Sequence, residues 1–446
     1  MARTGTASTS DVSAAALPRV SHGRGSHIWD VTGKRYVDGS GGPAVYCLGH
    51  ADPRVNAAVL AQMEKIAHGY RYLFTSDPLE EMTAIIAGHM GGDLCEMVFV
   101  TGGTEAVESA MKIALQYHHD SGAPGRVRFI ARHRSWHGNT LMATALSGFE
   151  ARRRAFAGAL PPVGRVSAAN AYRPPAGVAP ADLAAHLAAE LEAEILRLGP
   201  ETVAAFIFEP VVGAAGGVVP APPGYAQAVA EVCRRHGVLV ISDEVMCGSG
   251  RTGIWRASAE DGILPDIVTV AKGLSGGYLP LGAAVFTRRI GDVLRRGHGG
   301  PLTGHTYTGH TACLAAGVAV QRIIAEEGLL AHVRRRGPAW QEEIRAGLAD
   351  LPEVGDVRGR GYFIGLELVR DPATKEPFDP ALKLNERVRA ESLARGLICY
   401  PMGGNVDGVR GDVVILAPPY NATEDDLAEI ADKLGQALRA ALAQVR

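Results

Sequence analysis

Asp243 and Lys272 stand 29 positions apart, each placed where a short apolar run ends. A carboxylate that keeps a pyridine nitrogen protonated and an amine that holds an aldehyde as a Schiff base are the two groups on which pyridoxal 5'-phosphate chemistry depends. Taken singly, each has a plainer reading: an Asp after a strand caps a turn, and a Lys before glycine is a solvated amine. Lysine scarcity weighs against the plain reading, because the chain holds seven lysines against 38 arginines. Of the seven, Lys272 alone follows an apolar strand and precedes a glycine-rich turn.

The elements that must position this pair are legible around it. Val238–Ser242 and Asp266–Ala271 are β-branched runs bounded by Gly237 and by acids, and both read as buried parallel strands. Their last residues therefore lie at the carboxyl edge of an α/β sheet, where such sheets bind ligands. Upstream, Met97–Val100 reads as a strand, Thr101–Thr104 as a flexible turn and Glu105–Leu115 as an amphipathic helix. That succession presents free backbone N–H groups and a positive helix end to an anion such as a phosphate, although a Gly-Gly-Thr turn alone is often only a tight connection. Trp136-His137-Gly138 follows the strand Val127–Ala131 and offers an aromatic face to a flat ring, or else is a half-buried loop. Val245 is spaced to close the opposite face of such a ring.

In this order along the chain, the residues resemble the class III aminotransferases, enzymes of fold type I that use pyridoxal 5'-phosphate. The resemblance runs from about Gly23 to the C-terminus through Ile28–Asp38, Leu48–His50, Gly103–Ala106, Trp136–Gly138, Phe208–Pro210, Asp243–Val245, Gly250–Gly253, Pro265-Asp266, Ala271–Gly273, His305–His310, Gly359–Gly361 and Ala417–Pro419. It implies Lys272 as the Schiff-base lysine and proton carrier, and Asp243 as the partner of the pyridine nitrogen. It implies Val245 and Trp136 as the residues under and over the ring, the latter where the family usually has Tyr or Phe, with His137 beside them. Gly103 and Thr104 match the phosphate loop, and Glu209 the carboxylate of the active-site network. Thr306 matches the threonine that reaches the phosphate from a neighbouring subunit, which implies a homodimer with shared active sites; pairing of dimers into a tetramer is left open.

The substrate end departs from the family pattern. Ornithine- and GABA-type members carry Gln where this chain has Met246, an acidic gate where it has Val211–Gly216, and an arginine where it has Ile415. These differences resemble the ω-amino acid and amine:pyruvate branch, whose acid-binding arginine comes from a loop. Arg410, in Asp407–Asp412, lies near that place, and its plain alternative is a solvated turn arginine. The function expected is an aminotransferase moving an amino group between an amine or amino acid and an α-keto acid by a ping-pong mechanism. The alternative is β/γ-elimination or replacement, decarboxylation or epimerisation on the same cofactor, since Lys272 and Asp243 serve all of these outcomes.

Composition bounds the remainder. The chain has 446 residues, 45 basic and 47 acidic, so no blanket attraction to nucleic acid or to a membrane surface is expected. No run approaches the length of a membrane span. Six scattered cysteines, none in a Cys-x-x-Cys pair, indicate neither a disulfide framework nor a zinc site, and a cytoplasmic location is expected. Alternating strands and helices between about Phe74 and Gly328 predict an α/β architecture with a mostly parallel sheet. A mobile N-terminal arm is expected at 1–18 and a large cofactor-binding domain at 74–328, and the resemblance to the class III aminotransferases implies that 19–73 and 329–446 pack together as a small α+β domain beside it.

Overall fold

The Asp243 and Lys272 runs form neighbouring parallel strands, Leu239–Asp243 and Ile267–Val270, with Asp243 paired opposite Thr269. The computed structural model describes residues 17–446, so the arm expected at 1–18 falls, up to residue 16, outside the described residues. A seven-stranded sheet forms the centre, in the order Leu94–Val100, Gly282–Thr287, Ile267–Val270, Leu239–Asp243, Val203–Phe208, Arg128–Arg132, Gly164–Val166. Pairing is parallel from Ile267–Val270 through to Gly164–Val166. Gly282–Thr287 departs from this, running antiparallel to both of its neighbours. The cause is the short connection 271–281 that carries Lys272, which lacks the length of a crossover helix.

Both faces of this sheet are covered, and a period of two along the strands sorts the side chains between them. In Val203–Phe208, Ala205 and Ile207 enter one core while Phe206 and Phe208 enter the other. The first core is closed by the helices Gly103–Asp120 and Arg288–His298, the second by Leu183–Leu198 and Tyr225–His236. Gly103–Asp120 is longer than the Glu105–Leu115 helix expected: its apolar face continues to buried His118, whose Nε2 meets the Ala204 carbonyl at 2.9 Å.

The two chain ends build a second body. Val20–Arg24, His27–Asp30 and Arg35–Asp38 form a sheet completed by Leu397–Ile398, which pairs parallel to Val37 and Asp38. A further sheet orders Val354–Arg360, Phe363–Leu368, Asp412–Leu416 and Tyr400–Gly403. Val37, Leu48 and Val55 share one core with Trp340, Tyr362 and Leu427, so the N-terminal segment is held by residues some three hundred positions away. Arg251 joins the bodies, donating to the carbonyls of Pro418, Tyr362 and Tyr46 from a position 1% exposed.

Candidate active site

At the carboxyl edge of the central sheet lies a cleft of about 350 Å³. It is lined by Gly103, Thr104, Trp136, His137, Glu209, Asp243, Val245 and Lys272, so eight of the ten site residues expected from sequence converge there. Thr306 and Arg410 do not. Thr306 lies exposed in the 299–310 loop. Arg410 turns its Nε to Asp407 Oδ2 at 2.6 Å and its Nη1 toward Glu376 at 3.6 Å, and none of the three lines the cleft.

Asp243 ends its strand with its side chain 3% exposed and every oxygen engaged. Oδ2 meets His137 Nδ1 at 2.7 Å, while Oδ1 accepts from Thr269 Oγ1 and from the Val245 backbone N–H, both at 3.1 Å. These contacts aim a carboxylate into the cleft and lock its rotamer. His137 keeps a second ring nitrogen, Nε2, buried without a partner. Its backbone N–H donates to Ser147 Oγ at 2.8 Å, which fixes the Trp-His-Gly turn from behind.

Lys272 takes up the left-handed backbone conformation at φ 46°, which is costly for a residue with a Cβ and recurs at functional positions. The residue keeps some exposure, but its amine end is enclosed. Desolvation there pushes the ammonium down to about 8, against the opposing pull of Asp243 and Glu209. Near pH 8 such an amine is half neutral, as a nucleophile toward an aldehyde must be.

The turn before Gly103–Asp120 meets the cleft with little space to spare. A Cβ on Gly103 would lie 2.6 Å from Val245 Cγ1, so glycine lets the helix start pack directly on the Val245 wall. Gly138, at φ 136°, brings the Trp-His-Gly turn equally close to Thr104, where a Cβ would meet Thr104 Oγ1 at 2.7 Å. Gly102, Gly103 and Thr104 line the cleft beside Trp136, so the start of the helix borders it and its positive end favours an anion there. An aromatic wall, an apolar floor, an anchored carboxylate, an enclosed amine and an anion-binding turn fit a flat, phosphorylated pyridine aldehyde.

Glu209 is a brace. Its two oxygens accept from the backbone N–H groups of Trp136 at 3.0 Å and Gly213 at 2.9 Å, and its own carbonyl accepts from buried Arg132 at 2.6 Å. Burial pushes its carboxyl up, opposed by His137. Sequence reasoning missed the cleft's other walls, Val45, Ser275, Leu279, Pro280 and Leu281. The glycine-rich turn after Lys272 was a signal for the last four; nothing local marked Val45. Two departures also share one place: Met246 and Ile415 belong to a single apolar cluster with Ala44, Val211 and Phe363, and Met246 Sδ fills the space above Gly213.

The sequence matches the family described as aminotransferase class-III over residues 9–438. It is similar to an uncharacterized aminotransferase of Bacillus subtilis, YodT, at 37% identity over 93% of each chain. It is similar to the diaminobutyrate–2-oxoglutarate transaminase of Halomonas elongata at 35% identity, over 94% of this chain and 89% of that protein. Among solved structures, an amine transaminase of an uncultivated Pseudomonas species in its PLP-bound form superposes with a TM-score of 0.89, at 33% identity over 99% of both chains.

Proposed function

Because the chain belongs to the class III aminotransferases, we propose that Lys272 holds the cofactor's aldehyde and carries the proton at the reacting carbon, with Asp243 as the partner of the pyridine nitrogen. The protein is a pyridoxal-phosphate-dependent transferase that moves an amino group between an amine or amino acid and an α-keto acid in two half-reactions. Bound in the cleft, pyridoxal phosphate supplies the carbonyl that takes up the amino group and the ring that draws off the electron pair.

The chain supplies position, charge and a base. Asp243, held by His137, Thr269 and the Val245 N–H, keeps a negative charge fixed where a protonated ring nitrogen requires it. Gly103 and Thr104, at the start of the helix, would hold the phosphate, and Trp136 and Val245 would flank the ring. Lys272, its ammonium destabilised by burial, would supply an amine able to hold the aldehyde and to move a proton at the reacting carbon. Glu209 acts through Trp136, whose backbone it anchors. The observation that carries this reading is the convergence of an anchored Asp243 and an enclosed Lys272 in one cleft.

At the substrate end, Met246 is the member of its apolar cluster that lines the cleft, and with Ile415 buried behind it no arginine stands at either place, which supports an amine of the ω-transaminase kind. Arg410 would recognise an acid only by leaving Asp407 and Glu376. The relatives reported above carry aminotransferase or transaminase names, which does not favour the elimination, decarboxylation or epimerisation alternative.

The same proposal includes a homodimer with shared sites and the division of the chain at about residues 73 and 328. An exposed apolar ridge supports the first: Leu60, Met63, Ile66, Tyr72, Leu73 and Phe74 are each at least 50% exposed, and Thr306 lies in the loop beside them. The free state of all six cysteines supports a reducing, cytoplasmic setting.

The function is tested by single-turnover mixing of cofactor-loaded protein with a panel of amines and amino acids. Loss of the cofactor's visible band, release of the carbonyl product and recovery of the band on adding an α-keto acid are expected. Arg410→Ala is expected to slow the acid-bearing half-reaction about ten- to a hundred-fold and spare the apolar amine. Product formation with the band retained throughout would overturn amino transfer.

A further inference from the structure

Two helices end on one carboxylate, far from the cleft. Gly103–Asp120 begins at the phosphate-binding turn, runs about 27 Å at the usual helical rise, and closes on His119 and Asp120. Its neighbour Arg288–His298 closes on His298. His298 Nδ1 lies 2.8 Å and His119 Nδ1 3.1 Å from the same oxygen, Asp120 Oδ1. The donor atoms of all three side chains fall within 4.8 Å of one another.

The carboxylate is fixed and the imidazoles are reachable. Asp120 has a side chain 1% exposed, and Gln116, one turn earlier, donates from Nε2 to the other oxygen, Oδ2, at 3.2 Å. That amide is the kind of outer partner that orients a metal-ligating carboxylate. The His119 and His298 side chains are 64% and 41% exposed, leaving one side open to solvent. Both helices also end here, and the negative end of each macrodipole favours a cation.

We propose that His119, Asp120 and His298 form a binding site for a divalent transition-metal ion of the zinc class. Two imidazoles, one carboxylate and solvent water make up a four-coordinate set that suits Zn²⁺ and its neighbours better than Mg²⁺ or Ca²⁺. The ion clips the far end of the phosphate-loop helix to Arg288–His298. None of the three residues lines the cleft, so its effect falls on stability and leaves amino transfer unchanged.

The test uses untagged, cofactor-loaded protein equilibrated with ZnCl₂, washed in metal-free buffer and counted by elemental analysis, with thermal unfolding in parallel. One zinc per chain and a rise of a few degrees in Tm at saturating Zn²⁺ are expected. Both should be lost in His298→Ala and in His298→Gln, which retains a donor to Asp120 but is a poor ligand. The single-turnover rate with amine should be unaltered in both variants. Failure of the wild type to retain stoichiometric zinc, or retention by both variants, would overturn the site.

Discussion

At the scale of single residues, the chemistry rests on groups whose surroundings leave them one arrangement. Asp243 is the clearest case, with an imidazole, a hydroxyl and a backbone N–H on its two oxygens. Replacing it with Asn keeps most of these contacts and removes the charge. Asp243→Asn is therefore expected to bind the cofactor and to slow proton removal from the amine about 10²- to 10³-fold, as for loss of one preorganised charge. Stopped-flow deuterium isotope effects on the first half-reaction check this, and near-normal rates would count against the assignment. That Lys272 and Asp243 come together was legible in the sequence because each ends an apolar run and lysine is scarce in this arginine-rich chain. The grip of His137 on Asp243 was not, because 106 positions separate them and only the sheet brings them together.

At the scale of elements, the strands around Asp243 and Lys272 were read within a residue because β-branched runs flanked by glycine and acids mark buried strands strongly, while Met97–Val100 was begun three residues late, at a start that carries Glu96 and Cys95. The antiparallel Gly282–Thr287 was missed, since alternation of apolar residues carries no direction; the shortness of 271–281 was the cue. The substrate end was read as three separate departures, yet Met246 and Ile415 touch one apolar cluster, and pairing across so long a separation is invisible to local pattern.

The strand that carries Ile415 begins at Asp412, which has a cost of its own. Asp412 is 5% exposed, and burial pushes its carboxyl from 3.8 up to about 6, against one backbone N–H from Asn385. A carboxyl raised on folding holds its proton more tightly in the folded chain, so stability falls as pH rises from about 4 to about 6 and remains lowered above. Asp412→Asn, which can still accept from Asn385, is expected to raise stability by on the order of 1–3 kcal/mol at pH 7.5. The gain should vanish below pH 4. Thermal melts across that range measure it, and a pH-independent effect would contradict it.

At the scale of the whole molecule, the two chain ends share a core, and Arg251 ties that core to the strand edge where the cofactor binds. The exposed apolar residues Leu60, Met63, Ile66, Tyr72, Leu73 and Phe74 are those on which the proposed dimer rests. Phe74→Asp, at a position 67% exposed, should leave the monomer folded and shift sedimentation from dimer to monomer. Weaker retention of the cofactor should accompany the shift, since Thr306 of each chain would no longer reach its partner. A monomeric wild type would contradict this arrangement.

The central claim is that Lys272 holds the cofactor. Borohydride reduction of the pyridoxal-phosphate-loaded protein, followed by proteolysis and mass spectrometry, reads this directly. The phosphopyridoxyl group is expected on Lys272 and on none of the other six lysines. Recovery of the label on a different lysine, or of Lys272 unmodified in protein that retains bound cofactor, would contradict the account.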